Sequence, residues 1–147
     1  MATTSAPSID ELATTLRIAI ARSARRLRQE NVAELSATQA SALATVERYG
    51  PLTPSELASR ERIQRPTATR MLARLEAQGL VARTPDPRDG RSSLIALTDE
   101  GVALLASQRT RKNAYLAGRL EALPARDRDT LERAAELLER LLGEDVP

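Results

Sequence analysis

Residues 53–98 have the sequence TPSELASRERIQRPTATRMLARLEAQGLVARTPDPRDGRSSLIALT, and this stretch decides the fold. Its first four residues, Thr53-Pro54-Ser55-Glu56, form a capping box with proline at the first helical position, which predicts the start of a helix. The polar segment from Arg60 to Gln64 predicts a turn after that helix. A second helix is expected to begin near Arg65-Pro66 and to end at Gly79, because proline is tolerated in a first turn and glycine commonly terminates helices.

The second predicted helix has two distinct faces on a wheel of 3.6 residues per turn. The apolar face consists of Ala68, Leu72 and Leu75, with Met71 at its border. The polar face consists of Thr67, Arg70, Arg74 and Gln78. Arginine can bond bidentately to guanine in the major groove, and threonine can contact a phosphate or the thymine methyl group. For two arginines alone, an ordinary solvated helix face is the simpler interpretation.

The residues after the second helix favour a DNA-binding face over an ordinary solvated face. Leu80–Arg83 and Leu94–Leu97 are short strand-like runs, and between them lies the turn sequence Asp86-Pro87-Arg88-Asp89-Gly90-Arg91. A hairpin whose tip carries arginine, beside a recognition helix, can reach the negative potential of the adjacent minor groove. In isolation the segment fits an ordinary charged hairpin. Helix, turn, helix and basic-tipped hairpin in succession predict a winged helix.

These motifs resemble the MarR-type (multiple antibiotic resistance regulator) winged helix-turn-helix transcription factors. The matching residues are Leu57-Ala58, Thr67-Ala68-Thr69-Arg70, Leu72, Leu75, Gly79-Leu80-Val81 and, most specifically, Asp86–Arg91 followed by Leu97–Gly101. The resemblance covers nearly the whole chain and departs from the family pattern at Arg65-Pro66, where many members have a small polar residue. It implies an Asp-x-Arg wing tip, in which Asp89 orients Arg91 and Arg91 enters the minor groove.

The composition narrows the class of protein further. The chain has 147 residues, which is the length of one domain, and it contains neither cysteine nor histidine. We therefore expect no disulfide, no metal site and no cofactor. A catalytic role is also not expected, since the sequence lacks a His or Cys dyad, a glycine-rich phosphate loop and the Gly-x-Ser-x-Gly turn. The absence of a membrane-spanning run or signal peptide predicts a cytoplasmic protein with no membrane partner.

Charge is distributed unevenly along the chain. Its net charge is only +2, yet the segment from Arg60 to Arg91 holds eight arginines against four acidic residues. From Glu121 to the C-terminus the ratio reverses, with eight acidic residues against four arginines. This pattern favours a nucleic-acid-binding middle segment and a tail that avoids nucleic acid. With two tyrosines and no other aromatic residue, the chain lacks the stacking platform that single-stranded nucleic acids require.

Long amphipathic helices are predicted on both sides of the winged helix. The first is capped by Ser8, and its apolar stripe consists of Ile9, Leu12, Ala13, Leu16, Ile20 and Leu27. Ser36 starts a second helix that carries Ala40, Leu43, Ala44 and Val46. Another begins at Thr98–Gly101, with a polar centre from Gln108 to Asn113 that is expected to cross open space. The last runs from about Ala125 to Leu142, and its leucine stripe is wide enough for a partner helix.

We therefore predict an α+β, mainly helical fold: a lead at residues 1–7, a winged helix-turn-helix at 36–98, and dimerisation helices at 8–35 and 99–147. The predicted function is that of a homodimeric, sequence-specific repressor that binds a near-palindromic site in double-stranded DNA. The predicted DNA-binding residues are Thr53, Ser55, Arg65, Thr67, Thr69, Arg70, Arg74, Arg88, Asp89 and Arg91.

The family resemblance also implies a small aromatic or anionic effector, bound between the dimer helices and the wing domain. Conceivable lining residues are Arg17, Gln39 and Tyr115. Two other functions stay open: a winged helix that binds a protein, and an architectural protein that binds DNA without sequence preference. A protein-binding wing has no need for the arginines at the wing tip and on the second helix.

Overall fold

The computed structural model describes residues 6–30 and 35–143, so the predicted lead and the chain end are described only in part. This part of the chain is mainly helical, with one two-stranded antiparallel sheet, as predicted. Its elements are α1 (Ile9–Arg28), α2 (Ala37–Tyr49), α3 (Pro54–Glu61), α4 (Arg65–Ala77), β1 (Val81–Asp86), β2 (Asp89–Leu97), α5 (Asp99–Glu121) and α6 (Ala125–Leu142). Two compact units divide within α5, one ending at Lys112 and the other beginning at Asn113.

The first three helices all begin with a capping box. In α3, the backbone N–H of Glu56 donates to Thr53 Oγ1 at 3.2 Å, and the backbone N–H of Thr53 donates to the Glu56 carboxylate at 2.7 Å. Ser8 and Ser36 form the equivalent boxes at the starts of α1 and α2. These reciprocal bonds satisfy N–H groups that have no partner within the helix. The three predicted helix starts are confirmed.

The two helices of the helix-turn-helix end in the same backbone motif. After α4, Gly79 has φ +72°, its N–H donates to Glu76 O, and the N–H of Leu80 donates to Leu75 O. After α3, Arg62 occupies the equivalent left-handed position with φ +53°. The 6→1 and 5→2 bonds of a Schellman motif are thus present twice. Glycine adopts this conformation without strain, whereas arginine does so at a cost.

The core lies between α2, α3, α4 and the sheet. Its largest fully buried side chains are Leu43, Leu57, Leu72, Leu75 and Ile95. The predicted inward residues of α3 and α4 are all buried, including Met71 at the border. Leu52 pairs with Ile95 through two backbone hydrogen bonds of 3.1 and 2.7 Å, which form a single bridge beside the two-stranded sheet.

The structure departs from the local sequence pattern at three places. On α2 the buried alanine is Ala42, and Ala44 is exposed. The two strands are longer than expected, since β1 continues to Asp86 and β2 begins at Asp89. Gln108, expected in open space, is 3% exposed. In each case the tertiary contact, rather than the local pattern, decides what is buried or paired.

The start of α5 is joined closely to the end of the helix-turn-helix. The hydroxyl of Thr98 donates to Gly79 O at 2.6 Å and accepts from the N–H of Gly101 at 3.1 Å. A Cβ atom at Gly101 would lie 2.2 Å from Leu80 O, so only glycine permits this approach. None of the helices in the described residues has both the length and the apolar character needed to cross a bilayer.

Both flanking helices expose apolar side chains. Neither α1 nor α6 contains a buried residue in the single chain. On α1 the side chain of Ile9 is 81% exposed, and on α6 those of Leu141 and Leu142 are 70% and 62% exposed. The predicted apolar stripe of α1 therefore does not form part of the core of the single chain.

The paired Schellman motifs lead to a prediction about stability. Arg62→Gly should raise the free energy of unfolding by about 0.5–1 kcal/mol, because glycine relieves the left-handed strain more than it adds unfolded-state entropy. Gly79→Ala should lower it by a comparable amount, since nothing lies within 4 Å of the added Cβ and only the conformation is penalised. Urea denaturation would measure both. Arg62→Ala is the control, because it removes the side chain but keeps the strain of the left-handed backbone conformation. Equal effects of alanine and glycine at this position would show that this strain does not destabilise the protein.

Candidate nucleic-acid interface

Helix α4 presents its polar face to solvent because its apolar face is anchored in the core. Ala68, Leu72 and Leu75 are fully buried, whereas Thr67, Thr69, Arg70 and Arg74 are exposed. The hydroxyl of Thr69 donates to Arg65 O at 3.0 Å, which leaves its oxygen lone pairs available as acceptors. The predicted separation of faces on this helix is confirmed. Hydroxyl and guanidinium groups thus share one solvent-exposed surface.

Several arginines on this side of the molecule have no internal partner. Within the described residues, the guanidinium groups of Arg65, Arg70, Arg74 and Arg91 make no hydrogen bond or ion pair. Arg83, by contrast, is bonded to Glu76 at 2.8 Å. An unpaired, exposed guanidinium keeps all five of its donors for a phosphate or a base edge. We call Arg65, Thr67, Thr69, Arg70, Arg74 and Arg91 the recognition face.

The start of α3 carries two of the predicted DNA-binding residues, Thr53 and Ser55. Both are only partly exposed. The Thr53 hydroxyl already accepts the N–H of Glu56, whose carboxylate adds negative charge to this helix start. The pKa of Glu56 is lowered, first by the backbone N–H of Thr53 and then by its hydroxyl. A phosphate here would therefore meet both a helix N-terminus and a carboxylate.

The wing is a hairpin with only Pro87 and Arg88 between its strands. Its pairing shifts register between Pro85 and Asp86. Asp89 Oδ1 accepts the backbone N–H of Arg91 at 3.0 Å, so within the described residues Asp89 bonds the backbone of Arg91 and not its guanidinium group. The Arg91 guanidinium extends from β2 without an internal partner among the described residues.

The other wing arginine is engaged by a residue that sequence reasoning missed. Asp86 is 5% exposed, and its carboxylate accepts three bonds from Arg88: from the backbone N–H at 2.9 Å, from Nε at 3.2 Å and from Nη2 at 3.3 Å. The side chain of Arg88 holds the pKa of Asp86 below its usual value, and the backbone N–H adds to this effect. The only sequence signal was an acidic residue two positions before an arginine in a turn.

A cleft of about 350 Å³ separates the start of α2 from α4. It is lined by Ser36, Thr38, Gln39, Thr67, Arg70, Met71 and Arg74. Of the three residues proposed for a ligand, only Gln39 lies here. Arg17 is exposed on α1 and does not line this cleft. Tyr115 lies in the unit that begins at Asn113, where its ring contacts the guanidinium group of Arg119. Ser36, predicted only as a helix start, and Thr38, which the sequence did not single out, line this cleft beside the recognition face.

A second cleft, of about 280 Å³, is formed by the end of α1 with α2 and α5. Its wall includes Arg28, Ser41, Leu105, Gln108, Arg109 and Lys112, together with three alanines of α2. Arg109 is paired with Glu47 of α2, which lowers the pKa of that carboxyl group. Gln108 is buried, and its Nε2 has no hydrogen-bond partner within the described residues. An unsatisfied buried amide is costly and indicates a place for a bound acceptor.

Together these features define a helix-turn-helix DNA-binding protein with a basic wing. A family model described as "MarR family" matches residues 35–93. An HTH-type transcriptional regulator from Mycobacterium tuberculosis is 40% identical over 134 residues, which cover 90% of this chain and 94% of the relative. The chain belongs to the MarR family and is a helix-turn-helix transcriptional regulator.

Solved structures agree with this assignment. The crystal structure of a candidate transcriptional regulator protein from Pseudomonas aeruginosa PA01 has a TM-score of 0.85 and 32% identity, covering 95% of this chain and 100% of that one. A mutant of MepR from S. aureus, bound to an oligodeoxyribonucleotide, has a TM-score of 0.69 at 19% identity, with 88% and 97% coverage. The second likeness is one of fold alone.

Proposed function

We propose that this protein is a sequence-specific repressor that binds double-stranded DNA as a homodimer. The observation that carries the proposal is the recognition face, a set of unpaired arginines and threonines held in one orientation by a buried core. In a helix-turn-helix the second helix enters the major groove with its N-terminal residues nearest the bases. The oligodeoxyribonucleotide bound to the S. aureus MepR mutant supports DNA as the partner of this fold.

Each residue of the recognition face has a distinct proposed role. Thr67, Thr69, Arg70 and Arg74 contact base edges and phosphates in the major groove, and Arg65 contacts base or backbone at the helix entrance. Arg91 extends into the neighbouring minor groove, and Asp89 shapes the strand that carries it. Thr53 and Ser55 bond a phosphate at the start of α3, where the negative charge of the Glu56 carboxylate weakens the interaction.

The dimer is proposed from the exposed apolar faces of α1 and α6. Isolated surface leucines are ordinary, but a row of them on one helix face indicates a partner. A second copy would cover these faces with identical ones, as two-fold symmetry requires. Such a dimer sets two α4 helices about one DNA turn apart, so the binding site is a near-palindrome.

The second cleft is the proposed effector site. A small aromatic or anionic molecule there would accept a hydrogen bond from Gln108 Nε2, with Arg28 and Lys112 nearby as cations. The cleft walls belong to both α2 and α5, and Ser41 of α2 also donates to Glu61 at the end of α3. Occupation of the cleft can therefore change the placement of the helix-turn-helix and relieve repression.

Sequence selectivity is tested by selecting bound sequences from random double-stranded DNA at moderate salt. An inverted repeat with half-sites about one turn apart is expected. Arg70→Ala should relax base preference by about 1–3 kcal/mol, because an arginine–guanine pair is lost. Arg133→Ala on α6 removes the same charge elsewhere and is the control. Equal loss on all DNA sequences for Arg70→Ala would refute base reading. Recovery of no motif by the unaltered protein would favour a protein-binding or architectural role.

The dimer is tested on the apolar face of α6. Substituting both Leu131 and Leu142 by Glu should raise the dimer dissociation constant by roughly a hundredfold or more, since burial of unpaired carboxylates costs several kcal/mol. Sedimentation velocity over a range of concentrations would measure it. Glu136→Ala with Glu139→Ala, on the polar face, should leave the constant within about threefold, as surface changes usually do. A dimer unaffected by the leucine substitutions would place the interface elsewhere.

The effector site is tested with benzoate as the probe. Gln108→Leu should weaken benzoate binding at least tenfold, because the amide donor is lost, and should raise Tm without benzoate, because an unsatisfied buried group is removed. Calorimetry and thermal unfolding would measure the two effects. Gln78→Leu, an exposed glutamine at the end of α4, should change neither. Unaltered benzoate binding by Gln108→Leu, or no binding by the unaltered protein, would exclude this cleft as a benzoate-type site.

A further inference from the structure

The wing contains a buried carboxylate that the proposed DNA contacts do not use. Asp86 lies at the end of β1, and within the described residues it is the one buried charged side chain. Burial of a carboxylate is unfavourable unless other groups bond and neutralise it. Its position in a surface hairpin, directly before the turn residues Pro87 and Arg88, therefore requires a structural reason.

That reason is Arg88. Asp86 Oδ1 accepts the backbone N–H of Arg88, which closes the turn, and both carboxylate oxygens accept from the guanidinium. A forked arginine–carboxylate pair fixes orientation as well as supplying charge. Arg88 is thereby folded back onto its own turn, although its side chain is 68% exposed.

Arg91 is placed differently. Asp89 bonds only its backbone N–H, and its guanidinium has no partner within the described residues. The two arginines at and beside the wing tip are thus unlike, because the guanidinium of Arg88 is bonded to an acid, whereas that of Arg91 has no partner within the described residues. The register shift at Pro85–Asp86 lies at the point where the pair closes the hairpin.

We propose that Asp86 and Arg88 are positioning residues, a clamp that fixes the turn so that Arg91 alone of the wing arginines enters the DNA minor groove. This inference rests on the proposed DNA-binding function and revises the expectation that both wing arginines grip the groove. Arg88 could act through its positive charge or through the geometry of its pair with Asp86, and the two roles predict different results for lysine at this position. If Arg88 acts as a charge, lysine replaces it; if it acts as a fork on Asp86, lysine does not, because an ammonium cannot make the bidentate pair.

The test measures DNA affinity against salt for the full-length protein on its selected site. Arg91→Ala should weaken binding by roughly tenfold or more and reduce the salt slope by about one. Arg88→Ala and Arg88→Lys should each weaken it by roughly the same factor as one another. In the Arg91→Ala background, Arg88→Ala should change affinity by less than about twofold, because the clamp acts only through Arg91.

The Asp86→Asn variant provides an independent test, because charge alone and the clamp predict opposite changes in DNA affinity. On charge alone, removing an acid and freeing Arg88 would tighten DNA binding; the clamp predicts weaker binding. Where Asp86→Asn does not fold, amide hydrogen exchange of the Arg88→Lys variant without DNA replaces this test. Exchange of the Arg91 N–H, which donates to Asp89 Oδ1, is expected to accelerate about tenfold. Near-normal affinity of Arg88→Lys, or additive losses in the double variant, would overturn the clamp. Unchanged binding by Arg91→Ala would instead refute the proposed minor-groove contact itself.

Discussion

The whole arrangement depends on the packing of five fully buried side chains, Leu43, Leu57, Leu72, Leu75 and Ile95. They join α2, α3, α4 and β2 in a single cluster, with no polar group within it to satisfy. Because one side of α4 is anchored by this cluster, the other side has only one orientation available. The recognition face is therefore a consequence of the core, and its arginines need no internal ion pair to be held in place.

The arginines fall into two groups by what they contact. Arg83, Arg88 and Arg109 are paired with carboxylates, and each pair joins neighbouring parts of the fold. Arg60 stacks on the ring of Tyr49 at 3.8 Å. The arginines of the recognition face have none of these contacts. Unpaired guanidinium groups also occur elsewhere in the described part of the chain, on Arg17 and Arg133 for example. The proposed DNA-binding surface therefore rests on the placement of its arginines on α4 and the wing, and not on the lack of a partner alone.

Two buried polar groups mark the places where the fold departs from an ordinary apolar core. Asp86 is fully bonded, by a partner two residues away. Gln108 is not: its Nε2 has no hydrogen-bond partner within the described residues, and the residue lines a cleft. A satisfied buried group fixes local structure, whereas an unsatisfied one is a site where a ligand can bind favourably. The wing clamp and the proposed effector cleft follow from this difference.

The sequence by itself determined the order of helices and strands, the helix starts at Ser8, Ser36 and Thr53, and the two faces of α4. These features follow from local rules, capping bonds and a 3.6-residue period, which act over a few residues. Only the tertiary structure decided that Ala42 rather than Ala44 is buried, that Gln108 is buried beside a cleft, and that Asp86 is buried although it lies in a surface hairpin. Burial and pairing of this kind depend on which distant element packs against a residue. Such contacts leave no periodic signal along the chain, because the partner surface comes from elsewhere in the fold.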